Sequence, residues 1–221
     1  LKTSENRLSY HLNSKQWEDE SMREAHLDWA VGEAKIGKDT VLFFDLSDIT
    51  KKYAKKMEHL GEVYDHDKKE KANGYWEINV EAINEKGKEQ MVLWEEIYSQ
   101  LEPGFKSQNE KIFRVVEKVA KATKGKGVLV FDRGGDDEKL MHKAFDELKM
   151  LGIIRQVGTR KVVWIGWKGE GKGAPVHEIA KELPMQYSKF VEVEGKKKKA
   201  SYGYCQVKVK GIDSKLYLVV V

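Results

Sequence analysis

Val128-Leu129-Val130-Phe131-Asp132-Arg133-Gly134-Gly135-Asp136-Asp137 is the stretch whose reading decides the fold. Four apolar residues in a row, two of them valines, read as a short buried strand. The acid- and glycine-rich turn behind it leads into Leu140, Met141, Ala144, Phe145, Leu148 and Leu151, which form one stripe of a helix. Asp136 or Asp137 is the natural N-cap, because a short carboxylate accepts from backbone N–H groups left unpaired at a helix start. Gly152-Ile153-Ile154-Arg155-Gln156 follows as another strand. Upstream, Gly125-Lys126-Gly127 closes an amphipathic helix over 109–123, with Ile112, Val115, Val116, Val119 and Ala122 on its apolar stripe.

Further upstream, Thr40-Val41-Leu42-Phe43-Phe44 is a second strong strand, expected to end at Asp45. Its lack of alternation implies cover on both faces. Ile49 to Leu60 is helix-prone, with Tyr53, Met57 and Leu60 at helical spacing. A hairpin follows: Tyr75 to Val80 alternates, the turn falls near Asn84-Glu85-Lys86-Gly87, and Met91 to Tyr98 returns. The order strand, hairpin, helix, strand, helix, strand describes a mixed α/β sheet.

Beyond Val162 the pattern changes to strand-like pieces (Val162 to Trp167, Phe190 to Val193, Tyr202 to Val209, Leu216 to Val221) between glycine- and lysine-rich turns. One short helix, His177 to Leu183, interrupts them. The expected organisation is a polar helical region over 1–38, an α/β core over 39–160 and a β-rich basic part over 161–221.

The chain has 221 residues, 40% of them hydrophobic and 34% charged, enough apolar material for a substantial core. No apolar run approaches the roughly 18 residues that cross a bilayer, and Leu1-Lys2-Thr3-Ser4-Glu5 lacks the pattern of a signal peptide. The single cysteine, Cys205, excludes an intrachain disulfide and suits a reducing cytoplasm. The start at Leu1 and the strand-like Leu216 to Val221 lead us to expect a piece of a longer protein. The net charge of +4 is mild, but Lys196, Lys197, Lys198, Lys199, Lys208 and Lys210 crowd together with no acid between Gly195 and Gly211. That stretch is either a solvated loop with its flanking strand or a contact for a polyanion.

Asp45 and Asp132 each stand at the expected carboxyl end of a strong strand, where ligands collect in open α/β sheets. Two carboxylates converging there favour a hard divalent cation, which activates water or a 3′-hydroxyl against a phosphodiester. The alternative is that each merely caps the element after it. Gly166-Trp167-Lys168-Gly169-Glu170-Gly171-Lys172 has the spacing of a phosphate-binding loop, but Gly173 stands where the magnesium-binding Ser or Thr belongs, so a hairpin turn is expected. Asp65-His66-Asp67 is either a chelator or a solvated loop. Trp164, Trp167, Tyr202 and Tyr204 either stack on unpaired bases or pack in the sheet.

Val41-Leu42-Phe43-Phe44-Asp45-Leu46-Ser47-Asp48-Ile49-Thr50-Lys51 resembles the first acidic motif of bacterial insertion-sequence transposases of the DDE class, in the family related to insertion sequence four. Val128 to Asp136 resembles that family's second motif, and the basic β-rich part resembles the strand insertion placed before its third acid. The resemblance spans roughly residues 39 to 221. It implies an RNase H-like α/β core that cuts and transfers DNA strands, with Mg²⁺ or Mn²⁺ held by Asp45 and Asp132. It also implies DNA partners (transposon ends and target), a homodimer in the synaptic complex, no membrane, and a prokaryotic, nucleoid-associated location. The third member, a glutamate within a Tyr, Arg, Glu and Lys signature, has no match; Glu178 and Glu182 fall too early. Asp48 and Asp136 are expected to be caps or supporting groups. Arg133 is expected either to contact phosphate or to pair with Asp136, and Lys196 to Lys199, Lys208 and Lys210 to contact DNA. Alternatives are a non-catalytic DNA-binding module derived from such an enzyme, or a nuclease on the same core.

Overall fold

The structure, a computed structural model, describes residues 19–65, 68–84, 89–166, 169–193 and 195–221, apart from the side chains of 19, 169, 170 and 172. The described residues form an α/β fold with a mixed sheet and a β-rich part. The chain divides into two compact units, Leu1–Val128 and Leu129–Val221.

In the first unit, α1 (Asp19–Ala34) precedes four strands: β1 (Val41–Thr50), β2 (Gly61–Asp65), β3 (Glu70–Ile83) and β4 (Gln90–Tyr98). Helix α2 (Gln108–Ala122) follows. Strand β3 is the hub and pairs antiparallel with β1, β2 and β4. The hairpin expected from Tyr75 to Tyr98 is therefore present, although 85–88 of its turn lie outside the described residues. One face of this sheet is sealed, because Leu42, Phe44, Ile78, Val80, Trp94 and Tyr98 are all essentially inaccessible. Helix α2 buries Ile112, Val115, Val116 and Val119, as its stripe requires, and Ser107 caps it by accepting from Glu110 N at 3.1 Å. Buried Glu96, on the same face of β4, is satisfied by Arg114 (2.5 Å) and Lys111 (3.0 Å) from α2 and by the Trp94 indole (3.2 Å).

Two expectations fail in this unit. Strand β1 does not end at Asp45 but runs on to Thr50, pairing Ser47 with Glu77 and Ile49 with Tyr75. The helix expected over 49–60 is absent. Lys51 N still donates to Asn73 O, Asn73 Nδ2 donates to Ala54 O, and the Tyr75 hydroxyl donates to Glu58 O. The partner strand thus captures the backbone groups a helix would need, while Tyr53 stays exposed. Of the polar region expected over 1–38, α1 forms at 19–34, and residues 1–18 lie outside the described residues.

The second unit continues β5 (Val128–Phe131), then a 3₁₀ turn (Arg133–Gly135), α3 (Glu138–Met141) prolonged by a π-helical turn (His142–Glu147), and β6 (Leu151–Ile154). Leu140, Met141 and Ala144 are buried as expected, but Leu151 has left the helix for β6 and is exposed; Met150 takes the buried position. The β-rich part comprises β7 (Lys161–Gly166), β8 (Gly169–Pro175), α4 (Val176–Glu182), β9 (Tyr187–Val193), β10 (Lys196–Lys208) and β11 (Leu216–Val220). Its core gathers Met141, Val162, Ile179, Leu183, Cys205, Val207 and Leu218, so α4 seals one face of these strands. Burial pushes the Cys205 thiol up.

Candidate functional site

Asp45 lies in the middle of β1, opposite Asn79 on β3. Side chains alternate along a strand, so Asp45 shares a face with Phe43 and Ser47, away from sealed Leu42 and Phe44. That face is only partly covered and is rich in oxygen. Ser47 donates to Glu77 (3.2 Å), Asn79 Nδ2 donates to Glu81 (3.2 Å), and Asn79 Oδ1 is buried with no hydrogen-bond donor among the described residues. Asp48, opposite Trp76, points to the other face and caps nothing, since it too is mid-strand.

Asp132 does follow the last residue of β5, and it is exposed. Its carboxylate accepts from Gly134 N at 2.8 Å, which fixes the 3₁₀ turn. Gly135 makes the turn possible, because a Cβ there would stand 2.3 Å from Phe131 Cβ. Asp137, not Asp136, caps α3, accepting from Leu140 N at 2.9 Å. Asp136 instead accepts from Arg160 Nε (2.6 Å) and Val157 N (2.7 Å), and Arg160 also donates to Asp136 O (2.7 Å) and Glu138 (3.0 Å). With its side chain 1% exposed, Asp136 is a structural clamp rather than a ligand. Arg133 is exposed on the turn, and the pairing expected for it with Asp136 belongs to Arg160. Nothing in the spacing of Asp136 and Arg160 signals that partnership.

The lysine run is a strand, not a loop. Lys196 to Lys199 pair with Val193 to Phe190 across β9 and are exposed. Alternation splits them: Lys196, Lys198 and Lys208 share one face of β10, while Lys197 and Lys199 lie on the other, where Lys197 sits over the Phe190 ring. Lys210 is exposed in the turn beyond β10. Tyr202 and Tyr204 stand on the Lys196 face. Trp164 packs against the core, and Trp167 lies outside the described residues.

The phosphate-loop spacing at Gly166 resolves as a β-hairpin, Gly166 pairing with Gly169 and Val163 with Gly173. A phosphate-binding loop needs its amides converging before a helix, whereas here the residues on either side of the turn are paired in a ladder. Asp65 is buried, accepts from Lys68 N (3.0 Å) and pairs with Lys68 Nζ (3.2 Å); His66 and Asp67 lie outside the described residues. Glu178 and Glu182 are exposed on α4, and the His177 ring hydrogen-bonds Gly158 O (2.7 Å).

Among the described residues, no group of three or more His, Cys, Asp or Glu side chains is placed to hold a metal ion. No helix among them is long and apolar enough to cross a membrane. No protein-family model matches the chain, and no curated protein matches it.

Proposed function

We propose that the chain is the part of a DDE-class DNA transposase that bears two of its three metal-binding carboxylates, Asp45 and Asp132, in a cytoplasmic, nucleoid-associated protein that pairs as a homodimer on DNA. The observation that carries the reading is the order of elements around the two acid motifs. Acid-bearing β1 is followed by the β3–β4 hairpin, α2, acid-bearing β5, α3 and β6, as the resemblance implies. A hydrogen bond from Val128 N to Thr40 O (2.8 Å) ties the residue that opens β5 to the residue before β1.

The donor chemistry suits Mg²⁺ or Mn²⁺, since both residues offer hard carboxylate oxygens. A bound ion would supply Lewis-acid activation of the attacking oxygen and the scissile phosphate. The chain's own contribution is to hold Asp45 on a partly open sheet face and to fix Asp132 by its own turn, while the lysines of β10 attract phosphates. A non-catalytic DNA-binding module remains the second reading. It is favoured by the engagement of Asp132 as a cap and by the lack of a three-donor group among the described residues.

Iron-directed cleavage separates the two. Fe²⁺ with ascorbate and peroxide, in place of Mg²⁺, cuts a polypeptide beside its metal site. The expected result is cleavage next to both Asp45 and Asp132, suppressed by excess Mg²⁺ and abolished in Asp45→Asn. Cuts at only one of the two, or none, refute a shared metal site and leave the module reading.

A further inference from the structure

We propose that the open face of the β9–β10–β11 sheet binds single-stranded DNA, stacking unpaired bases on a ladder of tyrosines and holding phosphates on the lysines around it. This rests on the DNA reading of the basic strand, but not on the two carboxylates.

The register defines the face. Gly203, Cys205 and Val207 of β10 are buried towards α4, so Tyr202, Tyr204, Gln206 and Lys208 point the other way. Tyr187 lies directly opposite Tyr202 on β9, and Tyr217 lies opposite Gln206 on β11. The rings form a continuous series. Tyr187 stacks on Tyr202 at 5.4 Å between centroids and on Tyr204 at 5.7 Å, with interplanar angles of 24° and 16°. Tyr204 meets Tyr217 edge-on at 6.3 Å. A hydrogen bond with the Tyr204 hydroxyl raises the Tyr187 phenol above its ordinary range.

These are not core tyrosines. Tyr187, Tyr204 and Tyr217 are 43%, 52% and 51% exposed, and neighbouring Val219 is 57% exposed. A surface ladder of this kind is unusual without an occupant. The charge around it selects the occupant. By the same register, the face also carries Lys189, Lys196, Lys198 and Lys208, and Lys215 sits over the Tyr217 ring. Among the described side chains of β9, β10 and β11, no Asp or Glu shares that face, since Glu192 lies opposite Lys197 on the reverse side. Aromatic planes flanked by cations are complementary to a polyanion that exposes its ring faces. A single strand does so, whereas duplex bases are stacked on one another and out of reach.

The test uses the full chain and fluorescein-labelled oligo-dT of about 16 nucleotides, free or annealed to oligo-dA. Tyr187→Leu/Tyr204→Leu should weaken single-strand binding about ten-fold or more while changing duplex binding less than about two-fold. Tyr204→Phe, which keeps the ring, should retain affinity. Should the leucine variant fail to fold, photocrosslinking of the unaltered protein to 5-iodouracil-containing strands decides: adducts on Tyr187 or Tyr204 support the proposal and adducts elsewhere overturn it. Lysine variants that weaken binding while the leucine variant leaves it unchanged would remove the stacking and keep the DNA reading. No effect from either set would remove both. A sedimenting dimer that disappears in Tyr204→Leu, with oligonucleotide affinity intact, would show a second copy on this face and also overturn it. So would a preference of more than about ten-fold for the matching RNA strand.

Discussion

Asp132, Asp136 and Asp137 stand within six residues of one another, and each does something different. Asp132 caps a 3₁₀ turn, Asp137 caps α3, and Asp136 is locked under Arg160. The capping roles were legible, because an acid before a helix has a local partner whose position the chain dictates. The clamp was not, because Arg160 comes 24 residues later and only tertiary folding brings it in. Local pattern instead offered Arg133 as the partner. Asp136→Ala should therefore be the costly change of the three, by about 3–5 kcal/mol, since it leaves the largely buried Arg160 guanidinium with only the exposed Glu138 as counter-charge. Glu138→Ala removes an exposed partner of the same arginine and should cost under about 1 kcal/mol. Urea denaturation of the two variants checks the ranking, and equal losses would show that Arg160 is held by other means.

At the scale of elements, strands with a strong apolar centre were legible and their limits were not. Val41 to Phe44 announced β1, but its extension through Asp45 to Thr50 depends on β3 being there to pair with. The same partner turned what remained of the helix-prone stretch Ile49 to Leu60 into a turn-rich segment, because Asn73 accepts from Lys51 N and donates to Ala54 O while the Tyr75 hydroxyl donates to Glu58 O. Two strands, β2 and β8, carry too little apolar sequence to be seen alone. The lysine run shows the converse: composition left a solvated loop or a polyanion contact open, and cross-strand pairing with β9 makes it a strand and divides its charge between two faces. That division has a measurable consequence. Lys196→Ser/Lys198→Ser should flatten the dependence of log affinity on log salt for single strands by roughly 1.4, about 0.7 for each phosphate that is no longer neutralised. Lys197→Ser/Lys199→Ser, on the reverse face, should change the slope by less than half as much. Equal slopes for the two pairs, measured by anisotropy between low and moderate salt, would mean that the strand acts as diffuse charge rather than as a face.

For the whole molecule, the carboxylate count governs what the chain can catalyse. In-line attack on a phosphodiester needs the attacking and leaving oxygens clamped together, which is the role of a carboxylate-held pair of metal ions. The resemblance supplies Asp45 and Asp132 and no match for the third acid, and the described residues gather no group of three donors. Three acids flanking these two are already engaged: Asp136 by Arg160, Glu77 by Ser47 and Glu81 by Asn79. Recruiting one as a substitute ligand would break an interaction that the fold uses. We therefore expect the 221-residue chain to bind DNA without cutting it. Supercoiled plasmid incubated with the protein and Mg²⁺ or Mn²⁺ should stay supercoiled, and an oligonucleotide with a free 3′ end should not be joined to it. Binding should nevertheless persist, because β10 keeps its lysines whether or not a metal is held. Nicking that disappears in Asp45→Ala would mean that a complete catalytic set lies within these residues, with one of the engaged acids serving as its third member.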